Sequence, residues 1–482
     1  MRLMPALLLS TALTASPALA ADITYDGAKQ LEDQLNGYLP ADLAKAGVIK
    51  VRPGTDNYEV NFDAAPILKK FDPTTITISG LKPFLSLVRP LDDGTWNVSQ
   101  KDNLDIKGTF TANAQKTDFT YRIGDFRMDG IYDPDLLYFR SADMAATDIH
   151  TAWQSAQQNV DATFTDMKSV LQSTKAGPQT IDLQSKTTMG AFIEKIVDAG
   201  QPPVEIKAEA IDANVTMNGL AYKPVQDAVF FLLDKKDQKT LDDAEQARLK
   251  DIGRANLPLF DSLLESIDVK NPQVVTPQGT FAAETLNYTI SSNGLRDGAK
   301  LAFGVFIEKP AAPPNVIPAA FMPALPETIT TQVSLENINI TSGIKYFLDN
   351  ADFNSAKTLS DAQSAEAAKI FLPGGALTIR YDDVSARSSV YDISMTGTTT
   401  VYPADPQRQN TDITLYARDF DKTVNYLQQN AQAVPQFGQA AFVLLMVKGF
   451  AKTAPDGRQM WNLVIDENKR LTINGQAFPM GR

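Results

Sequence analysis

The chain has 482 residues, with 45 Lys and Arg against 57 Asp and Glu, one histidine and no cysteine. A net charge of −12 argues against nucleic acid as a partner and against electrostatic docking on an anionic bilayer. Disulfides and thiolate chemistry are excluded, and a hydrophobic fraction of 43% in a chain this long suffices for a core without such staples.

At the start, Arg2, the apolar run from Met4 to Leu13 and the small-x-small triplet Ala18-Leu19-Ala20 have the three parts of a secretory signal. The run is shorter than the roughly 20 residues a bilayer requires, and polar sequence begins at Asp22. The expectation is a periplasmic protein cleaved after Ala20, with a net charge of about −13 after cleavage. Without a cysteine beyond the cleavage point it would carry no lipoprotein acyl chain.

Period-two alternation then dominates. Leu104, Ile106 and Phe110, followed by Phe119, Tyr121 and Ile123, place apolar side chains on every second position or its multiple. The pattern returns at Ile211–Met217, Leu286–Ile290, Leu377–Tyr381 and Tyr391–Met395. Side chains alternate faces along a strand, so each segment has one oily and one wet face, as in antiparallel sheet packed on one side. Asp93-Gly94, Asp129-Gly130, Asn218-Gly219, Asn293-Gly294, Asp297-Gly298, Asp456-Gly457 and Asn474-Gly475 supply hairpin turn chemistry. A phase shift at Glu336-Asn337 predicts a bulge.

Helical spacing is rarer. It predicts a short helix at Phe192, Ile193, Ile196 and Val197, and a helical region from Val225 through Ile252 that continues to Leu263 and Ile267. A third helix at Phe420, Val424 and Leu427, capped by Asp419, ends at Pro435. A further helix runs from Gln439 to Ala451, and its apolar stretch Ala440–Val447 is expected to be buried. Pro310, Pro313, Pro314, Pro318, Pro323 and Pro326 mark a semi-rigid connection. The resulting division is a signal at 1–20, a β-rich domain at 21–200, a middle α+β module at 201–309, a linker at 310–327 and a C-terminal α+β module at 328–482. The expected class is α+β, with predominantly antiparallel one-sided sheets, a few packing helices and repeated modules.

Two internal echoes support the repeats. Lys239-Thr240-Leu241-Asp242-Asp243-Ala244 matches Lys357-Thr358-Leu359-Ser360-Asp361-Ala362, each behind an aromatic-Leu-Asp segment and an alternating strand. Asp93-Gly94-Thr95-Trp96-Asn97 likewise matches Asp456-Gly457 with Trp461-Asn462.

No reactive constellation emerges. His150 is the only histidine, no G-x-S-x-G elbow exists, and zinc would have to be held mostly by carboxylates. Asn350, Asp352, Asn354 and Asp361 have calcium-loop spacing, but Ser355 replaces the turn glycine and Lys357 adds a cation. The acidic pairs Asp92-Asp93, Asp242-Asp243 and Asp382-Asp383 are read as solvated turns. No catalytic, metal-binding or cofactor-binding residue is assigned, and no cofactor is expected.

The close of the chain, with Asp456-Gly457, Trp461-Asn462-Leu463-Val464-Ile465 and Leu471-Thr472-Ile473-Asn474-Gly475-Gln476, resembles the ending of exported proteobacterial proteins of the DUF2125 and DUF945 (YdgA-like) families. Asp93-Gly94-Thr95-Trp96 and Tyr132-Asp133-Pro134 are similar to alphaproteobacterial relatives of that kind. The resemblance implies a periplasmic, repetitive α+β protein and supplies no established activity or catalytic residue. Three functions follow, in order of preference. The first is a non-enzymatic envelope protein holding a lipid or other apolar ligand in a sheet-lined groove, and the second is an assembly factor binding another envelope protein. The third is a hydrolase of unrecognised site. No transmembrane segment is expected after signal cleavage.

Overall fold

A computed structural model of the chain describes residues 23–37, 39–112, 115–134, 138–235 and 238–478, so the expected signal at 1–20 lies outside the described residues. Strands take 49% and helices 22% of the chain, which makes it mostly β rather than α+β. It divides into two compact units, Met1–Asp261 with Phe353–Ala356, and Ser262–Asp352 with Lys357–Arg482. The division therefore falls at Asp261, and the Pro-rich segment 310–327 lies inside the second unit.

In the first unit, helix α1 (Tyr25–Asn36) is capped by the Thr24 side chain and followed by strands β1 (Ile49–Pro53) and β2 (Tyr58–Phe62). After β3 (Ile76–Ser79) and β4 (Phe84–Pro90) come four long strands, β5 (Trp96–Ala112), β6 (Gln115–Asp133), β7 (Tyr138–Ser155) and β8 (Gln158–Lys175). These form one antiparallel meander. Each half of the meander is extended separately. The β4 end of β5 continues through β2 to β1, and its far end pairs β3. On the other side, β8 pairs β9 (Ile181–Met189) at one end and β10 (Phe192–Asp198) at the other. Beyond these lie β12 (Ala210–Leu220) and β11 (Val204–Ala208), respectively.

The alternation predicted from sequence sets the faces. Even positions of β5, among them Trp96, Val98, Ile106 and Phe110, lie on one side, and exposed Lys101, Asp105 and Lys107 on the other. Near β4 the oily side is covered by α1, whose Leu31 and Leu35 join Val51, Tyr58, Val88, Val98, Trp96 and Tyr132 in one core. Gly27 of α1 sits so close to this sheet that a Cβ there would lie 2.1 Å from the Tyr58 hydroxyl. Between Asp102 and Leu104 the register to β6 shifts, a bulge that increases the local bend.

The residues read as a short helix at 192–197 form β10 instead. Pairing on both sides, with the Phe164 and Phe192 rings 4.7 Å apart, outweighs a weak helical spacing. Asp129-Gly130 is likewise no turn but lies within β6.

Helices α4 (Tyr222–Lys235) and α5 (Asp243–Ala255) end the first unit's main segment; the two short helices Ala41–Lys45 and Ala65–Leu68 are α2 and α3. The helical reading stops there, because Leu263 and Ile267 belong to strand β13 (Ser262–Lys270).

The second unit is a meander of shorter antiparallel strands. Its order runs β13, β16 (Thr285–Ser292), β17 (Ala299–Glu308), β18 (Thr328–Ile338), β19 (Leu377–Arg387), β20 (Asp392–Val401), β21 (Gln409–Arg418), β23 (Gln459–Ile465), β24 (Leu471–Ile473) and β25 (Gln476–Phe478). A small hairpin, β14 (Gln273–Thr276) with β15 (Gly279–Ala282), and the two-residue β22 (Lys452–Thr453) complete it. The Pro-rich segment connects β17 to its sheet neighbour β18, closed by Lys309 N–H donating to Glu327 O at 2.7 Å. The predicted bulge is present, with Asn337 at φ +68° where β17 and β18 change register.

Helix pairs interrupt this meander. α6 (Ile340–Asn350) and α7 (Asp361–Phe371) join β18 to β19, and α8 (Phe420–Gln429) and α9 (Pro435–Lys448) join β21 to β23. The sequence echo has a structural counterpart: α5 and α7 both start with a full capping box, Asp242 with Glu245 and Ser360 with Gln363. Asp419 does not cap α8, for it is left-handed at φ +51° and its side chain makes no capping bond. The stretch 440–447 is buried on one side only: Ala441 is buried and Leu444 and Val447 pack against the Trp461 core, whereas Phe442 is 63% and Met446 52% exposed on the outer side of α9. No helix among the described residues is long and apolar enough to cross a membrane.

Candidate functional site

The clearest concavity is a trough of about 690 Å³ across β4 to β8 of the first unit. It lies on the face opposite the α1 core, the side that sequence alternation assigns to water. Register builds it as two rows of side chains. One row runs Lys101, Arg127, Ala145, Lys168 across β5, β6, β7 and β8, each residue directly opposite the next. The second, two residues along each strand, runs Leu87, Ser99, Asp129, Asp143, Val170. Intervening Met128 and Ser169 are buried from the other side, as strand alternation demands.

Each feature of the trough has a local cause. Ala145, the smallest side chain of the first row, leaves a gap between Arg127 and Lys168. The bulge at Asp102/Leu104 bends the sheet immediately beyond that row. Leu85, 42% exposed, and Val170, 44% exposed, place apolar surface in contact with water at opposite ends. The long stems of Lys101, Arg127 and Lys168 add more apolar lining while their charges stay at the rim.

The charge arrangement is unfavourable by itself. Lys101 faces Arg127, and Asp129 faces Asp143, on adjacent strands. Directly opposed like charges destabilise a strand pair. Arg127 is partly compensated by Asp125, whose carboxylate accepts from its Nε at 2.8 Å, and Asp129 accepts from the Asn97 amide at 3.3 Å. Lys101, Asp143 and Lys168 have no side-chain partner among the described residues.

A second charged cluster, on β17 to β19, is of the opposite kind. Arg380 grips Glu336 with two bonds of 2.9 Å, Lys300 lies 3.3 Å from Glu336 and 3.4 Å from Asp382, and Ser334 Oγ donates to Asp382 at 2.9 Å. The Arg380 guanidinium, with Lys300 beside it, holds the Glu336 carboxyl below its ordinary range, against a smaller opposing effect of burial. Ser334 is fully buried, so its hydroxyl is not accessible from solvent.

The other residues weighed from sequence are dispersed. His150 Nε2 lies 2.9 Å from Asp161 on the neighbouring strand, at the surface. Asn350 and Asn354 turn to protein partners, Asn350 donating to Tyr346 O and Asn354 exchanging two bonds of 2.7 Å with the Leu241 backbone. Asp361 pairs with Lys357. Asp93 accepts from the Thr95 hydroxyl and amide, which lowers its pKa, and Asp242 caps α5. Asp382-Asp383 is not a turn, as read from sequence, but straddles a register shift inside β19. No group of three His, Cys, Asp or Glu among the described residues is placed to hold a metal ion.

The trough escaped sequence reading because its ten facing positions come from five strands spread over about 85 residues, and each looks like an ordinary wet-face residue. The one available signal was the pair of apolar residues, Leu85 and Leu87, at the spacing of a single face. No family model, curated protein or solved structure matches the chain.

Proposed function

We propose that the protein is a non-enzymatic periplasmic binding protein that holds an amphiphile in the trough of its first unit. The observation that carries this reading is the combination of exposed Leu85 and Val170 with Lys101 and Lys168, which have no side-chain partner among the described residues, in one depression of about 690 Å³. That volume lies in the usual range for small-molecule sites. Covering the apolar surface of Leu85, Leu87 and Val170 with an alkyl chain is favourable at roughly 25 cal/mol per Å² of surface removed from water. Periplasmic placement rests on the signal-like residues 1–20, and a carrier role fits a site that offers contacts but no reactive pair.

Native mass spectrometry of the full chain, purified gently from a periplasmic fraction, tests the reading. A co-purifying lipid mass that disappears in Leu87→Asp is the expected result. An apo mass that gains no added short-chain phospholipid would overturn it.

A second reading, assembly with another envelope protein, draws on α9. Its outer face carries Phe442, Val443, Leu445 and Met446, all exposed, and the helix contains no acidic residue. A photocrosslinker at position 442 that captured one protein in cells, with the trough empty, would favour this reading.

A further inference from the structure

We infer that the trough selects a zwitterionic phospholipid headgroup of the phosphoethanolamine type. The inference rests on the amphiphile reading and adds the chemistry of the head.

Two like-charge pairs stand side by side on one sheet face: Lys101 opposite Arg127, and Asp129 opposite Asp143. Adjacent strands set roughly 5 Å between directly paired side chains, and two residues along a strand set roughly 7 Å between the rows. A single anion would satisfy the first row and be repelled by the second. A single cation would do the reverse. A phosphate bearing an ammonium on an ethylene tether satisfies both, with phosphate oxygens on the cationic row and N–H donors on the carboxylates. Such charge-assisted bonds are stronger than those between neutral groups.

Ala145 opens the cationic row between Arg127 and Lys168, where a phosphate can descend to the sheet. Leu87 and Val170 close the two ends of the acidic row and offer apolar contact to the acyl chains. A net-neutral head also agrees with the whole chain, whose charge of −12 disfavours a net anionic ligand.

Titration calorimetry on the full chain, with dihexanoyl-phosphatidylethanolamine and dihexanoyl-phosphatidylglycerol below their micellar concentrations, tests this. The ethanolamine lipid should bind about tenfold tighter, the effect of one added ammonium–carboxylate contact. Asp143→Asn should abolish the preference and leave glycerol-lipid affinity within about twofold, while Lys168→Gln should weaken both lipids. Circular dichroism and unfolding midpoints of each variant separate lost binding from lost folding. Equal affinity for the two lipids, both abolished by Leu87→Asp and unmoved by Asp143→Asn, would overturn the headgroup inference and leave the amphiphile site standing. Absence of binding by either lipid would overturn both.

Discussion

The two charged clusters of this protein, one on each unit's sheet, are built in opposite ways. On β17 to β19, Lys300 and Arg380 are interleaved with Glu336 and Asp382, so each charge is answered within the molecule. On β5 to β8 the charges are sorted by sign into rows, and three of them have no partner among the described residues. Interleaved charge stabilises a sheet modestly, whereas sorted charge strains it slightly and leaves it ready for a ligand of complementary pattern. The surroundings differ in the same sense. The second unit's strands are at most 11 residues long and interrupted by helix pairs, whereas β5 to β8 run for 17 to 19 residues.

The sharpest tests separate what holds each sheet from what each sheet carries. Trp96 and Trp461 are both 4% exposed after an Asp-Gly turn, and each is followed by an Asn that donates to a carboxylate one strand away. Trp96 lies beside Tyr132, while Trp461 lies against Phe420 and donates its indole N–H to Val447 O at 2.8 Å. Trp96→Ala and Trp461→Ala should each cost about 3–5 kcal/mol, read by urea unfolding, as large buried aromatics do. A much smaller loss for Trp96 would mean that the long sheet holds itself without its core.

Gly397 comes next. It sits at φ +144° between β19 and β21, where a Cβ would lie 2.3 Å from Asp412 O. Gly397→Ala should destabilise by about 1–3 kcal/mol in thermal unfolding. The capping boxes give a paired test of the repeat. Asp242→Ala and Ser360→Ala should each cost about 1 kcal/mol, because each removes the acceptor of one N-terminal amide. Unequal losses would argue that the two helix pairs share a pattern but not a role.

Smaller effects bear on the charges themselves. Glu336 has a lowered pKa, so its contribution is complete above the ordinary value of 4.5 and is lost as pH falls through the lower folded-state value. Glu336→Gln should therefore reduce stability at neutral pH by under about 1 kcal/mol. It should also flatten the acid limb of the midpoint-versus-pH curve. Asp143→Asn should do the reverse at neutral pH, raising stability by a few tenths of a kcal/mol because it removes the carboxylate opposite Asp129. A loss of stability in Asp143→Asn would show that the trough charges are internally balanced and would undo the contrast.

Much of the architecture is legible in particular residues. Leu104, Ile106 and Phe110 place β5 and its oily face correctly, Glu336-Asn337 locates the bulge, and the Thr-Leu-Asp and Thr-Leu-Ser repeats mark where two helices start. Phe192–Val197 and Leu263–Ile267 fail because helical spacing in short apolar runs is outweighed by pairing along their whole length with a neighbouring strand. The outer face of α9 fails because apolar sequence reports what could be buried, not whether a neighbour arrives to bury it. Division at the Pro-rich segment gives way for a related reason. Proline fixes local backbone, but whether β17 and β18 pair depends on the whole strands.

By itself, the sequence determined the period of the strands, the turn and cap positions and the sign of the net charge, all properties of neighbours within a few residues. Which strand lies beside which, and therefore that Lys101 meets Arg127 and Asp129 meets Asp143, was decided only by tertiary structure. A shift of one residue in any of these pairings would send a row to the opposite face. The trough is a consequence of register, and register is a property of the assembled sheet.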